Sequence, residues 1–301
     1  MSNLNLIDLK GRYDNHIHCC PHINKRSLNI YDAVMDAEKE KMAAIGLMDN
    51  FSVTSGYASL MKAICKNLKV KIFGGLIMEP YAGGVDPDSL EALIKYSYGD
   101  FSNVFKFVSF PTHHTKFVAT QEKRSKEYIK KCFSVENIKN VNKKTLKILD
   151  IIAKNKLVLN TGHLSGIENI NLVTLAKNHG VKKILIPANH LSMNSINQLS
   201  LMSNIYFEFS YFFISKATKV PLTHIDGEKH VIEGLEKKQL KNFIKQISSE
   251  KVILSSDCGV SVLPRPVVGL KSFISEVLKL GFTNKEIDNM TIKNPKKLFF
   301  A

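Results

Sequence analysis

Long apolar runs are missing from this chain. No stretch of its 301 residues approaches the roughly 18 consecutive apolar side chains that span a bilayer. The opening MSNLNLIDLKGRYD also lacks the apolar core of a signal peptide. The expectation is a cytoplasmic protein that does not enter a membrane. Arginine is scarce as well. Of 42 basic residues only Arg12, Arg26, Arg124 and Arg265 are arginine, and the rest are lysine. A net charge of +15 invites a nucleic-acid partner, but phosphate and base recognition lean on the forked guanidinium. Here lysine is spread along helical patterns such as AKNKL and KQLKNFIKQ, and its densest run, Lys123 to Lys131, reads as a solvated helix face. No nucleic-acid-binding motif accompanies the charge, so no nucleic-acid partner is expected.

Other absences narrow the field further. No CxxC pair occurs among Cys19, Cys20, Cys65, Cys132 and Cys258, and an odd set with two sequence neighbours points to reduced thiols. Gly74-Gly75 and Gly83-Gly84 do not follow GxGxxG or P-loop spacing, so nucleotide binding has no support. Internal repeats, low-complexity blocks and obvious linkers are lacking too.

What is present is an alternation of short β-rich runs with amphipathic helical patterns. The runs cover residues 13–18, 43–48, 70–78, 103–110, 157–162, 182–188, 204–210 and 251–256. Helical patterns between them include YDAVMDAEKEKM, DSLEALIKYSY, KTLKILDIIAK, NLVTLAKNHG and LEKKQLKNFIKQI. Asp86-Pro87-Asp88-Ser89 opens the third helix and Gly180 ends the fifth, as capping chemistry prefers. Eight such units predict an α/β fold, a (β/α)₈ TIM barrel. A distorted seven-stranded barrel is the variant, since the second and seventh runs carry the weakest pattern. The 301 residues read as one domain, with an insertion or lid at about 111–142, where the connection is too long for an ordinary loop. The closing FTNKEIDNMTIKNPKKLFF reads as terminal helices packed on the barrel.

The chemistry begins at Asp14-Asn15-His16-Ile17-His18. Residues two apart on a strand share a face, so Asp14, His16 and His18 are expected to point at the barrel axis together. Two imidazoles at one strand end make half of a zinc-type site, although HxH alone is only suggestive. His163 ends the fifth run, His190 the sixth and Asp257 the eighth. Each falls where a barrel strand meets its βα loop, the face that carries active sites in this fold. Any one of these histidines alone would read as a core residue; their common placement argues for a metal site.

The order HxH, His, His, Asp on strands one, five, six and eight resembles the amidohydrolase superfamily of metal-dependent hydrolases, closest to an uncharacterised amidohydrolase-like family. The segments that carry the resemblance are DNHIHCCP, FGGLIMEPYAGGVDP, FPTHH, LNTGHLS, SSDCG and MTIKNPKKLF, spread over nearly the whole chain. The resemblance implies that His16, His18 and Asp257 hold the more buried metal. It implies that His163 and His190 complete a second position, or that one ligates while the other polarises substrate. Asp257 would take the proton of the attacking water, making Asp257 and His190 the catalytic pair. The cofactor implied is a divalent metal, zinc first with manganese or iron as alternatives, as one ion or two. Departures favour one: relatives carry a bridging Lys or Glu at the end of strand four, whereas Lys106 comes too early and Ser109-Phe110 follow. Met48-Asp49-Asn50 stands where relatives tend to have Lys and His.

Further candidates line the same rim. Glu79, Asp49, His113, His114, Arg26 and Arg265 are candidate substrate contacts, each weighed against an ordinary role as a loop ion pair or surface residue. His22 has similar standing. Glu208, set among aromatics in YFEFS, needs a partner, and orienting a ligand histidine would supply one.

The reading for function is hydrolysis of an amide, lactone or ester-like bond of a small molecule by metal-activated water. A phosphoesterase of the polymerase-and-histidinol-phosphatase type is one alternative; the DxHxH start favours it, and the lack of a histidine in Ser256-Asp257-Cys258-Gly259 opposes it. A metal-dependent decarboxylase is another, and a barrel kept only as a binding protein is the non-enzymatic one. The partner expected is a small-molecule substrate, and the sequence leaves a homo-oligomer open.

Overall fold

The computed structural model describes residues 4–97, 102–223 and 229–301. Each of the eight β-rich runs contains a strand: β1 (Tyr13–Ile17), β2 (Ala44–Leu47), β3 (Lys71–Ile77), β4 (Phe105–Ser109), β5 (Val158–Asn160), β6 (Ile184–Pro187), β7 (Ile205–Ser210) and β8 (Val252–Ser255). They lie side by side in chain order, every adjacent pair parallel. Backbone bonds join the last strand to the first just beyond the end of β8. Asp257 N–H donates to His16 O at 2.9 Å, and His18 N–H donates to Cys258 O at 2.8 Å. The result is a (β/α)₈ barrel, so the seven-stranded variant does not hold.

Parallel strands covered on both sides must be apolar on both sides, which is why these runs read as nearly continuous hydrophobic segments. Inward-facing Tyr13, Phe73, Phe107, Val158, Leu185 and Ile253 fill the barrel, and Leu298 and Phe299 of the C-terminal helix (Asn294–Phe300) join that cluster from one end. A larger apolar layer lies between strands and helices. Those helices include α1 (Ile30–Lys39), α2 (Thr54–Ile64) and α3 (Pro87–Leu93), the last capped by the Asp86 carboxylate, which accepts from Ser89 N–H.

After β4 the chain makes a helical excursion, α4 (Lys116–Gln121) and α5 (Lys126–Lys131), before α6 (Lys143–Lys154). Phe133 stacks on Phe110 at 4.7 Å between ring centres. Thr115 Oγ1 donates to His163 O at 2.8 Å. These contacts hold the excursion against the ends of β4 and β5.

One local expectation fails. The register of β1 shifts between Asp14 and Ile17, so strict alternation does not carry through the HxH segment. Tyr13 faces the inner cluster while Ile17 joins the outer one. Asp14 does not reach the rim: it is buried, and its Oδ1 accepts from Ser256 N–H at 2.9 Å. A bulge, which adds one residue to one strand of a pair, breaks the two-residue period by that one position.

Candidate metal centre

The seam between β1 and β8 places the ligand-type side chains. Because Asp257 N–H bonds to His16 O and His18 N–H to Cys258 O, the register of His16, His18 and Asp257 is set by backbone rather than by side-chain preference. Asp257 sits at φ 52°, a left-handed conformation that Asp tolerates better than most residues. Gly259, at φ +114°, passes so close to β1 that a Cβ would lie 1.5 Å from His18 O. Only glycine fits there.

His18 Nε2 stands 3.0 Å and His16 Nε2 3.4 Å from the same oxygen, Asp257 Oδ1. Among the described residues these three form the group of histidine, cysteine or carboxylate atoms close enough to share an ion, all within 4.8 Å of one another. The other oxygen, Asp257 Oδ2, accepts from Ser210 Oγ at 3.1 Å. On the far side of its ring, His16 Nδ1 faces Glu208 Oε2 at 3.4 Å, and Glu208 Oε1 accepts from Ser255 Oγ at 2.6 Å.

This arrangement fits a divalent cation. When Glu208 accepts from Nδ1–H, the lone pair of His16 is left on Nε2, facing a carboxylate oxygen that also presents lone pairs. Something positive must stand between them. Against the opposing effect of burial, the carboxylates of Asp257 and Glu208 raise the pKa of His16 to about 9, which shows how strongly this position favours positive charge. The neighbouring imidazoles draw Asp257 down to about 2, although burial works the other way. Two imidazoles and one carboxylate, with a second carboxylate behind one imidazole, are the donor set of a zinc-type site.

His163 and His190 form an adjoining pair, ring centres 5.4 Å apart, and the five-residue set therefore divides into three and two. Gly162 before His163 is at φ +71°, where a Cβ would meet Pro111 O at 2.3 Å. This close approach lets the chain turn and present His163. Burial holds His190 neutral, down to about 4, and its ring lies against Phe213 at 4.8 Å.

The triple lies in a cavity of about 410 Å³, also lined by His163, His113, Arg26 and Phe51. His190 faces a smaller adjoining space of about 260 Å³, shared with His113 and His163. Of the remaining candidates, Glu79 is fully buried and committed to the loop after β4. It accepts from the backbone N–H of Thr112 at 2.7 Å, His113 at 2.6 Å and His114 at 3.2 Å. It thus orders that loop and does not line the cavity. His114 turns to Tyr128, ring centres 5.3 Å apart, and lines neither space. Arg265 pairs with Asp36 of α1 at 2.8 Å, away from the cavity. Asp49 lies behind the wall, accepting from Phe51 N–H at 3.1 Å. Lys106 lies over the Phe300 ring, in the C-terminal helix that closes the barrel's end, at 5.7 Å and is no bridging ligand.

Ser210, Ser255 and Lys229 escaped the sequence reading. The two serines end strands whose other residues drew attention, so a test of every polar strand-end residue would have found them. Lys229 reaches the cavity through a two-residue ribbon, Leu222–Thr223 with Lys229–His230, which has no sequence signature.

A closed parallel barrel with a His-His-carboxylate cluster where its last strand meets its first is thus the class of this protein. Residues 11–206 match the model of a family of unknown function, DUF6282, and the chain belongs to that family. No curated protein matches it in sequence. The barrel is similar to that of a phosphotriesterase homology protein from Escherichia coli, solved with phosphate in its active site (13% identity, 98% of this chain and 100% of the other, TM-score 0.61). It is similar to a putative 2-pyrone-4,6-dicarboxylic acid hydrolase from Pseudomonas putida (11% identity, 97% and 98% covered, TM-score 0.58). A zinc-bound amidohydrolase from Burkholderia multivorans also shares it (9% identity, 95% and 98% covered, TM-score 0.59). At these identities the likeness is one of fold.

Proposed function

We propose that the chain is a metal-dependent hydrolase of the amidohydrolase type, acting on an amide, lactone or ester-like bond of a small molecule. The observation that carries this reading is the convergence of His16 Nε2 and His18 Nε2 on one oxygen of Asp257. Those three residues would hold the cation, zinc by the donor set, with Glu208 fixing the His16 tautomer. Such an ion brings the pKa of water towards neutrality and polarises a carbonyl oxygen. Asp257 accepts the proton of the attacking water and returns it to the leaving group. His163 lines the same cavity as the cluster and would donate a hydrogen bond to the oxygen that gains charge, with His190, kept neutral by burial, packed beside it. The likeness to a zinc-bound amidohydrolase supports the same reading.

Elemental analysis of the purified protein tests it, together with a hydrolysis screen across lactones, amides and esters. About one equivalent of transition metal is expected, along with turnover that chelation abolishes. A protein that purifies without metal and shows no thermal shift with Zn²⁺ or Mn²⁺ would exclude it.

A further inference from the structure

We propose that the substrate carries an oxyanion, a carboxylate or a phosphate, and that the Arg26 guanidinium on the wall of the main cavity holds it. The proposal rests on the hydrolase reading in that the anion is placed on the molecule the metal centre would act on.

Three observations carry it. The first is an arginine without a counter-charge. Arg26 lines the cavity, its Nε is buried with no hydrogen-bond partner, and among the described residues no carboxylate pairs with it. Asp49, the negative group that acts on it most strongly, is already taken by Ser52 Oγ and Phe51 N–H. Buried guanidinium N–H groups are seldom left unmet, because each lost hydrogen bond to a charged group is costly.

The second is a mismatch at the other end of the fork. Arg26 Nη2 stands 2.6 Å from His22 Nε2. Yet His22 Nδ1 accepts from Asn24 N–H at 2.9 Å, and a neutral imidazole has only one accepting nitrogen. The proton therefore sits on Nε2, with Asp49 Oδ1 3.6 Å away, and the nearer neighbour, Arg26 Nη2, is a second donor. An oxyanion beside the pair would accept from both.

The third is the charge of the wall. Lys25, Arg26 and Lys229 line the cavity against a single carboxylate, Asp257, and a cation at the metal cluster would cancel that one. A concave site of one sign concentrates ligands of the other. Arg26 is also held in place by backbone: it bridges Val260, and Ser27 N–H donates to Gly259 O at 2.7 Å. The guanidinium is thus fixed to the same seam as Asp257, a short distance along the chain from the cluster. Anion and scissile bond would be held by one rigid piece of the barrel. Phe51, Phe212 and Phe213 supply apolar walls for the body of such a molecule.

The test is calorimetric titration of the full-length protein with succinate and, separately, inorganic phosphate, in metal-loaded and chelator-treated forms. At least one anion should bind both forms. Arg26→Met should weaken that binding about 10- to 100-fold. Arg265→Met, which removes an arginine already paired with Asp36, should leave it unchanged. If Arg26→Met does not fold, Arg26→Lys keeps charge and length without the fork and should still weaken binding. Succinate binding alone identifies a carboxylate substrate, and phosphate binding alone a phosphate ester. No binding of either anion by wild type, or equal affinity in the Arg26 variants, overturns the proposal. Failure of the hydrolase reading would show separately, as a protein that takes up no metal.

Discussion

The Glu208 carboxylate lies 3.4 Å from Nδ1 of His16, two strands round the barrel, with its other oxygen taken by Ser255 Oγ. Glu208 is 1% exposed, and a carboxylate buried to that degree persists only when it is fully partnered. Its partners are a hydroxyl and the imidazole it would orient. One side chain thereby favours the His16 tautomer whose lone pair faces the cluster.

Glu208→Gln preserves shape and removes the charge that favours Nδ1–H. Metal affinity should fall by roughly 10- to 100-fold, the usual cost of losing such an outer partner. Competition with a chromogenic chelator measures it. Unchanged affinity in a folded variant would show that the tautomer is set elsewhere.

His18→Ala and Asp257→Asn each remove one member of the triple. Both variants should purify with bound metal well below one equivalent and with no turnover. His114→Ala, whose ring faces Tyr128, should keep its metal. Elemental analysis of the three proteins separates the groups.

Gly259→Ala places a methyl 1.5 Å from His18 O at a φ of +114°. The backbone must move, and the seam that aligns His18 with Asp257 moves with it. The expected loss of stability is about 3 kcal/mol or more, read from denaturant unfolding, with metal affinity falling in parallel. Normal affinity would mean that the seam does not set the cluster.

Glu79→Gln keeps one oxygen for the N–H donors of Thr112 and His113 and turns an amino group on the N–H of His114. Destabilisation of about 1–3 kcal/mol is expected. Hydrogen exchange of residues 112–114 should accelerate more than that of the barrel strands. Uniform acceleration would indicate a global effect instead.

His22 supplies a pH test. Burial and the nearby Arg26 push its pKa down to about 3, whereas in the unfolded chain it titrates near 6.5. Protons therefore favour the unfolded state between these values. The stability this group contributes is complete above about 6.5 and is lost as pH falls towards 3. In urea titrations, His22→Gln should be less sensitive than wild type to acidification within that window, and the difference should be constant above it. Parallel pH profiles would contradict the assignment.

By itself the sequence determined the architecture and showed five ligand-type side chains at strand ends. Eight β-rich runs mapped onto eight strands because buried parallel strands must be apolar on both faces, and that leaves a pattern any reader of the chain can see. His16, His18, His163, His190 and Asp257 were legible because each closes such a run. Tertiary structure decided how they group. The shift in β1 withdrew Asp14, and the bonds between Asp257 and His16 and between His18 and Cys258 gathered three of the five around one oxygen. The role of Glu79 depends on N–H donors more than thirty positions away, and that of Arg26 on an Nε that finds no acceptor. Periodicity reports which face a residue takes, but distance in space and the pairing of charges exist only once the barrel has closed.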